Sequence, residues 1–97
     1  MKIKIKAFLA FKDAMGGEAS FTMAIERRVT IRDVIAELSA RYGEKFRGLI
    51  FDPNSGDVKS YIQILVNGCH YKSLPKQLDT ILNEGDDLAF FPPVSGG

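Results

Sequence analysis

Two hydrophobic periods follow one another in the first half of the chain, and together they limit the folds that it can adopt. Residues 2–9 alternate between apolar and polar side chains, which is the period of a half-buried strand. The face predicted to be buried carries Ile3, Ile5, Ala7 and Leu9. From residue 31 the apolar residues recur three and four positions apart, as in a helix with one buried side. The chain therefore needs a sheet with a helix packed on it.

The predicted helix covers residues 30–41 and has recognisable signals at both ends. Thr30 is a good N-cap residue, Asp33 lies in the first turn, and Gly43 follows as a natural stop. Its apolar stripe consists of Ile31, Val34, Ile35, Leu38 and Tyr42. This stripe is expected to cover the apolar face of the sheet.

Further strands are predicted on both sides of the helix. The second strand has Phe21, Met23 and Ile25 on one face, and its short connection to the first predicts an antiparallel hairpin. Later strands are predicted at residues 61–66, at 69–71 after the tight-turn signal Asn67-Gly68, and at 87–91.

The segments between these elements show no regular period. We expect a turn or short loop at residues 12–19, one irregular turn at 44–50 and a polar loop at 51–59. Three or four strands and one long helix, in the order β-β-α-β-β, predict an α+β fold of the β-grasp, or ubiquitin-like, type. In that arrangement one main helix packs on one face of a mixed sheet, and the first and last strands lie side by side, parallel, in its middle.

Length and charge exclude several classes of function. Ninety-seven residues suffice for one domain with a single core. Thirteen basic and twelve acidic residues give a net charge of +1, which provides no broad field for nucleic acid or an anionic membrane. No apolar run approaches the roughly 20 residues of a membrane span, no signal peptide is evident, and Cys69 is the only cysteine. The expected location is cytoplasmic, with neither nucleic acid nor a membrane as a partner.

The last residues form a tapering tail. Pro92 and Pro93 have no backbone N–H and cannot continue a strand ladder. Residues 1–93 are therefore predicted to be the β-grasp domain, and residues 94–97 a flexible Gly-Gly tail. Ser95, Gly96 and Gly97 have so little side-chain bulk that they fit a channel too narrow for larger residues. A Gly-Gly ending is also compatible with a frayed terminus, so the pair alone is weak evidence.

Strand parity places an apolar patch near this tail. If Leu88 and Phe90 face the helix, Phe91 lies on the open face of the sheet, beside Phe8 and Leu65. Contiguous apolar side chains beside a protruding tail are typical of a surface that docks a partner. The alternative is that a bulge or a folded-over loop buries the three side chains.

Three stretches in the second half of the chain share a pattern with one known family. They are Ile64-Leu65-Val66-Asn67-Gly68, Leu78-Asp79-Thr80-Ile81-Leu82 and residues 85–97, which end in Pro92-Pro93-Val94-Ser95-Gly96-Gly97. They resemble the MoaD family, the small subunit of molybdopterin synthase and a relative of the thiamine sulfur carrier ThiS and of ubiquitin-like modifiers. The resemblance covers essentially the whole chain, and the Pro-Pro-Val-Ser-Gly-Gly ending is its specific part.

The resemblance implies a sulfur carrier for assembly of the molybdenum or tungsten cofactor. In that family the terminal glycine, here Gly97, is adenylated by an ATP-dependent enzyme related to MoeB and is then converted to a thiocarboxylate. The tail inserts into a MoaE-like large subunit, where its sulfur helps to build the dithiolene of molybdopterin. The reacting end is thus Gly96 and Gly97, and the implied partner-binding residues are Phe8, Leu65, Phe91, Pro92, Pro93, Val94 and Ser95.

On this interpretation the chain binds no metal or cofactor itself, since ATP is used by the activating partner. It is the sulfur-donating subunit of a molybdopterin synthase complex and has no catalytic machinery of its own. Whether such a subunit counts as an enzyme is left open. Two other functions also remain open: a modifier whose adenylated Gly97 is joined to lysines of other proteins, and an interaction domain whose Gly-Gly is incidental. Cys69 is expected to be a small, partly buried residue, His70 a surface or structural histidine, and Asp86 and Asp87 a turn.

Overall fold

The computed structural model describes residues 1–93, and the predicted tail at residues 94–97 lies outside the described residues. The elements in chain order are β1 (Lys2–Ala7), α1 (Ala10–Ala14), β2 (Ser20–Ala24), α2 (Ile31–Tyr42), α3 (Glu44–Ile50), β3 (Gln63–Val66), β4 (Cys69–His70) and β5 (Asp87–Phe91). Two 3₁₀ turns, Tyr71–Ser73 and Gln77–Asp79, lie between β4 and β5. Within residues 1–93, no helix has both the length and the apolar character needed to cross a bilayer.

The strands form one mixed sheet in the order β2-β1-β5-β3-β4. β1 and β5 are parallel neighbours, and the other strand pairs of the described sheet are antiparallel. The α+β fold of the β-grasp type is therefore confirmed, with the first and last strands side by side in the middle. The sheet has five strands in the described part of the chain: the four of the β-β-α-β-β order and the two-residue β4, which is the short return strand predicted after the turn at Asn67 and Gly68.

α2 begins and ends where the sequence predicts. The Thr30 hydroxyl accepts a hydrogen bond from the Asp33 N–H at 3.1 Å, and the Asp33 carboxylate accepts one from the Thr30 N–H at 3.0 Å. The bond from the Thr30 backbone N–H holds the pKa of Asp33 below its ordinary value, so the carboxylate stays charged beside the positive end of the helix. Gly43 ends the helix with a φ of 71°, a left-handed conformation that suits glycine.

Three aromatic rings from three different elements meet in the centre of the core. Phe11 comes from α1, Phe46 from α3 and Phe90 from β5, and all three are fully buried. The centroid of the Phe90 ring is 5.8 Å from that of Phe11 and 5.9 Å from that of Phe46. The tilted and edge-on arrangement of these rings is the one that aromatic quadrupoles favour. The last strand is thereby joined to both short helices.

One residue of the predicted buried face of the first strand is exposed instead. Ile3, Ile5 and Ala7 are buried as predicted, whereas Leu9 is 74% exposed. The strand ends at Ala7, and the chain turns at Leu9, which has a φ of 54°, before α1 begins. The alternation therefore stops before Leu9, and the prediction for this residue is wrong.

Two short helices replace segments that were predicted to lack regular structure. α1 overlaps the predicted loop at residues 12–19, and α3 is a regular helix where one irregular turn was expected. Neither helix has a side-chain cap, and both are far too short to be stable in isolation. They form because Phe11 and Phe46 are buried against Phe90, so that tertiary packing overrides a weak local signal.

Replacement of Thr30 tests the capping box. Thr30→Ala removes the acceptor for the Asp33 N–H, and we expect the free energy of unfolding to fall by about 1 kcal/mol. Thr30→Ser keeps a hydroxyl at the same position and is expected to retain most of that stability. Chemical denaturation with a constant m value measures both variants. An equal loss in the two variants would contradict the role assigned to the hydroxyl.

Adjacent phenylalanines of β5 provide a test of the core. Phe90→Ala leaves a cavity between Phe11 and Phe46, and we expect it to lower the free energy of unfolding by about 3–5 kcal/mol. Phe91→Ala, one residue further on the opposite face, is the matched control and is expected to cost about 1 kcal/mol. Thermal and chemical denaturation measure the difference. Similar losses in both variants would contradict the distinct role in the core that is assigned to Phe90.

Candidate partner-binding surface

Two phenylalanine rings stack at one end of the open face of the sheet. Phe8 follows β1, and Phe91 is the last residue of β5. Because Ala7 pairs with Phe90 in the parallel ladder, Phe8 and Phe91 lie side by side on adjacent strands. Their centroids are 4.2 Å apart and their planes differ by 6°. Phe8 is 38% exposed and Phe91 is half-buried, so neither is covered by a bulge or a folded-over loop. We call Phe8 and Phe91 the stacked pair.

Leu65 lies on the same face as the stacked pair but not directly beside it. In the ladder between β3 and β5, Gln63 is opposite Phe91 and Leu65 is opposite Ala89. Leu65 is half-buried and occupies the position diagonal to Phe91. The structure therefore brings two of the three predicted residues together and places the third further along the face.

Charged side chains occupy the next positions on this face. Lys6 and Asp87 form an ion pair across β1 and β5, with the ammonium nitrogen 3.0 Å from a carboxylate oxygen, and both side chains are more than one-third exposed. Lys2 and Lys4, further from the stacked pair, are exposed. An exposed ion pair contributes little to stability, so its main effect is to keep this part of the face polar. The apolar stacked pair is thus confined to the end at which β5 finishes.

The chain leaves the sheet directly beside the stacked pair. Pro92, immediately after β5, is half-buried, and Pro93 is exposed. Neither proline has an N–H with which to extend the ladder, so pairing ends here as predicted. Val94, Ser95, Gly96 and Gly97 lie outside the described residues, and their roles stay predictions. The same holds for the partner-binding roles of Phe8, Leu65, Phe91, Pro92 and Pro93.

Two other large side chains, close in sequence to residues of this face, are exposed. Leu9, 74% exposed, follows Phe8 directly, and Tyr61, 57% exposed, precedes Gln63 by two residues. Tyr61 lies in the turn before β3, so strand parity does not assign its side chain to this face in the structure. The exposure of Leu9 could not be predicted from the sequence, because it depends on the turn that ends β1.

The residues considered for cysteine or metal chemistry lie elsewhere. Cys69 is exposed, so its predicted partial burial is wrong: the turn before it places it at the start of an edge strand. The His70 Nδ1 accepts a hydrogen bond from the Lys72 N–H at 3.2 Å, and its ring stacks on Tyr71, which fits a structural histidine. Burial raises the pKa of Tyr71. Among residues 1–93, no group of three or more His, Cys, Asp or Glu side chains is placed to hold a metal ion.

Asp86 and Asp87 fix the entry to the last strand, but the turn predicted for them lies just before, at Glu84 and Gly85, and Asp87 is already the first residue of β5. The side-chain amide nitrogen of Asn67 donates to Asp86 Oδ1 at 3.0 Å. The side-chain oxygen of Asn67, Oδ1, accepts from the Asp87 N–H at 2.9 Å. Asp86 Oδ2 accepts from the Asn83 N–H at 2.7 Å. These bonds tie the turn between β3 and β4 to the start of β5. They position the strand that carries Phe91, and they lie at the opposite end of β5 from the tail.

A central terminal strand, one main helix on one face of a mixed sheet and an exit beside exposed aromatic rings together define a ubiquitin-like β-grasp protein. The family model that matches the chain is that of the ThiS family, over residues 12–97. The chain therefore belongs to the ThiS family. The predicted resemblance to MoaD/ThiS ubiquitin-like proteins is confirmed at this level.

Known proteins similar to the chain carry two kinds of name. Small archaeal modifier protein 3 of Haloferax volcanii is 32% identical over 97 residues, which is all of both chains. The structure of small archaeal modifier protein 1 from Methanosarcina acetivorans has a TM-score of 0.81 at 28% identity, covering 99% of this chain and 96% of that one. A putative molybdopterin converting factor, subunit 1, from Pyrococcus furiosus has a TM-score of 0.72 at 28% identity, covering 97% and 99%.

A double-mutant cycle measures the interaction within the stacked pair. We expect Phe8→Ala and Phe91→Ala to be coupled by about 0.5–1.5 kcal/mol in the free energy of unfolding, because each removes the partner of the other ring. Phe8→Ala combined with Tyr61→Ala is the control and is expected to be additive. Additive effects of Phe8→Ala and Phe91→Ala would show that the stacked geometry contributes nothing beyond the burial of each ring.

Proposed function

We propose that the chain carries sulfur as a thiocarboxylate at Gly97 and donates it during assembly of the molybdenum or tungsten cofactor. The observation that carries the proposal is the exit of the chain. β5 passes through the middle of the sheet and releases Pro92 and Pro93 beside the accessible stacked pair. A partner that docks on Phe8 and Phe91 thereby receives the tail in a fixed direction. Membership of the ThiS family and the similarity to the Pyrococcus furiosus protein support this function.

Loading of the carrier needs two displacement steps at Gly97. A carboxylate oxygen of Gly97 attacks the α-phosphorus of ATP and displaces pyrophosphate, which gives an acyl-adenylate. Hydrosulfide, or a sulfur donor at the same oxidation level, then attacks the acyl carbon; AMP leaves, a proton is released and the thiocarboxylate remains. The first step is required because a carboxylate is a poor electrophile, whereas AMP is a good leaving group. A MoeB-like adenylating enzyme supplies the catalytic groups.

A MoaE-like large subunit is the proposed recipient of the sulfur. Its docking site covers Phe8, Leu65 and Phe91, and a narrow channel takes Pro92, Pro93, Val94, Ser95, Gly96 and Gly97. Ordering such a tail costs about 1–2 kcal/mol per residue, which main-chain hydrogen bonds within the channel offset. Sulfur transfer to a pterin precursor in that channel builds the dithiolene of molybdopterin. The chain contributes the sulfur, the slim end and the docking face.

A protein-modifier function is the second candidate, and the names of two relatives favour it. The Haloferax volcanii and Methanosarcina acetivorans proteins are both named small archaeal modifier proteins. The lysine amine of a target protein, attacking the activated acyl carbon of Gly97, displaces AMP and forms an isopeptide bond. Both functions use the same acyl-adenylate at Gly97. They differ in the nucleophile that attacks its acyl carbon, which is a sulfur donor in the carrier and a lysine amine in the modifier.

Deletion of Gly97 tests the proposed carrier. Intact-mass spectrometry of the chain recovered from its native cells is expected to show the mass of one oxygen replaced by one sulfur, and the deleted chain is expected to lack it. A ladder of isopeptide conjugates without any thiocarboxylate would favour the modifier instead. A full-length chain that stays unmodified in the presence of its activating enzyme, ATP and sulfide would contradict both.

The docking face is tested separately in the full-length chain. Phe8→Asp places a charge in the stacked pair and is expected to slow sulfur transfer about tenfold or more, since buried aromatic anchors dominate binding energy. Lys2→Asp, at the far end of the same face, is the matched control and is expected to transfer sulfur normally. Circular dichroism checks that both variants are folded. Equal transfer rates would contradict docking on the stacked pair.

A further inference from the structure

The two edges of the sheet differ in how well they are protected. β4, at one edge, is two residues long and is followed at once by a 3₁₀ turn. β2, at the other edge, is five residues long and contains neither proline nor lysine. Proteins usually blunt such an edge strand, because its free N–H and C=O groups can pair with another chain. Within residues 1–93, β2 pairs with β1 alone, so its outer side is open.

Hydrogen bonds to β1 identify the backbone groups on the open side of β2. The Ala7 N–H donates to the Ala19 carbonyl at 2.9 Å, and the Ile25 N–H donates to the Met1 carbonyl at 2.7 Å. Because bonded pairs alternate along an antiparallel ladder, odd-numbered residues of β2 bond to β1 and even-numbered residues face outward. The outward N–H and C=O groups are therefore those of Ser20, Thr22 and Ala24, whose small side chains are all exposed.

A groove lies at the end of this edge, between the last two residues of β2, the loop that follows them and the first half of α2. It has a volume of about 270 Å³, and its apolar lining consists of Met23, Ala24, Ile25, Val29 and Val34. The charged groups around it are the carboxylates of Glu26, Asp33 and Glu37 and the guanidinium of Arg27. The Arg27 guanidinium is 3.9 Å from the Glu37 carboxylate. The groove lining thus has three carboxylates and one guanidinium, and this excess of negative charge belongs to the Met23–Ala24 end of β2, because the Arg41 guanidinium lies 5.9 Å from the ring centroid of Phe21 further along the strand.

We propose that this edge and groove bind an extended, basic segment of another protein as an additional strand of the sheet. Alternate side chains of an added strand point toward the α2 side. Lysine or arginine at those positions covers the apolar lining with its methylene stem and places its charge among the carboxylates. Small polar residues at the other positions fit beside Thr22 on the open face. Pairing of two copies through β2 is disfavoured, because it brings two acidic grooves together.

This site is separate from the stacked pair. The groove residues Met23 and Ala24 lie opposite Ile3 and Lys2 at the start of β1, whereas Phe8 follows the end of β1. The proposal therefore does not depend on the chemistry at Gly97, and a segment held at β2 leaves the exit of the tail free.

A titration of the isotope-labelled, full-length chain with an acetylated Thr-Lys-Thr-Lys-Thr-Lys peptide tests the proposal. We expect the amide resonances of Ser20, Thr22 and Ala24 to shift, and hydrogen exchange of these amides to slow by about tenfold or more at saturation. The interaction is expected to weaken with added salt, because exposed charges take part. A Thr-Glu-Thr-Glu-Thr-Glu peptide is the control and is expected not to bind.

Two pairs of variants separate the backbone contribution from the charge contribution. Thr22→Pro removes an outward N–H without removing a bond to β1, and it is expected to abolish binding, whereas Thr22→Ala is expected to retain it. Glu26→Gln is expected to weaken binding about two- to fivefold, and Asp13→Asn on α1 to leave it unchanged. If Thr22→Pro does not fold, the comparison of Glu26→Gln with Asp13→Asn and the comparison of the basic with the acidic peptide still test the proposal.

Three results would overturn the proposal. The first is the absence of shifts at β2 with about 1 mM basic peptide. The second is equal binding of the acidic peptide. The third is a concentration-dependent dimer in which the Thr22 and Ala24 amides are protected without any peptide, since the occupant of the edge would then be a second copy of the chain.

Discussion

The parallel pairing of β1 with β5 is the contact on which the rest of the structure depends. It joins segments about 80 residues apart in sequence, and it places β5 between β1 and β3 in the middle of the sheet. Its register also decides which side each residue of β5 faces, since a shift of one residue would exchange the two faces. One register therefore assigns Phe90 to the aromatic core and Phe91 to the open surface.

Elements with strong local signals could be predicted from the sequence. The alternation of β1 and the capped, periodic α2 depend on neighbouring residues; α2 was found to within one residue at each end, whereas β1 ends two residues earlier than predicted. α1 and α3 could not be predicted as helices, because they are short, uncapped and held by the burial of Phe11 and Phe46 against a strand far along the chain. The same long-range packing decides where β1 ends, and hence why Leu9 is exposed.

The sequence predicts which side of the sheet the candidate surface residues occupy, but not how the strands that carry them are aligned. Parity placed Phe8, Leu65 and Phe91 on one side, and the order of the elements placed β1 beside β5. Neither fixes how far β3 slides along β5, so the sequence could not show that Gln63, rather than Leu65, lies opposite Phe91. The chemistry assigned to Gly97 rests on the likeness of the ending to a known family, because no side chain within the domain signals it.

The central position of β5 also has a mechanical meaning. A pull on the residues after Phe91 is a load along the strand axis, and β5 is hydrogen-bonded on both sides, to β1 and to β3. In that direction the bonds of both ladders are sheared together rather than opened one at a time, and Phe90 anchors the strand among aromatic rings. Force applied beyond Phe91 is thus carried into the central strand of the sheet. A partner or motor that pulls on the chain beyond Phe91 must break both ladders of β5, to β1 and to β3, before the strand leaves the sheet.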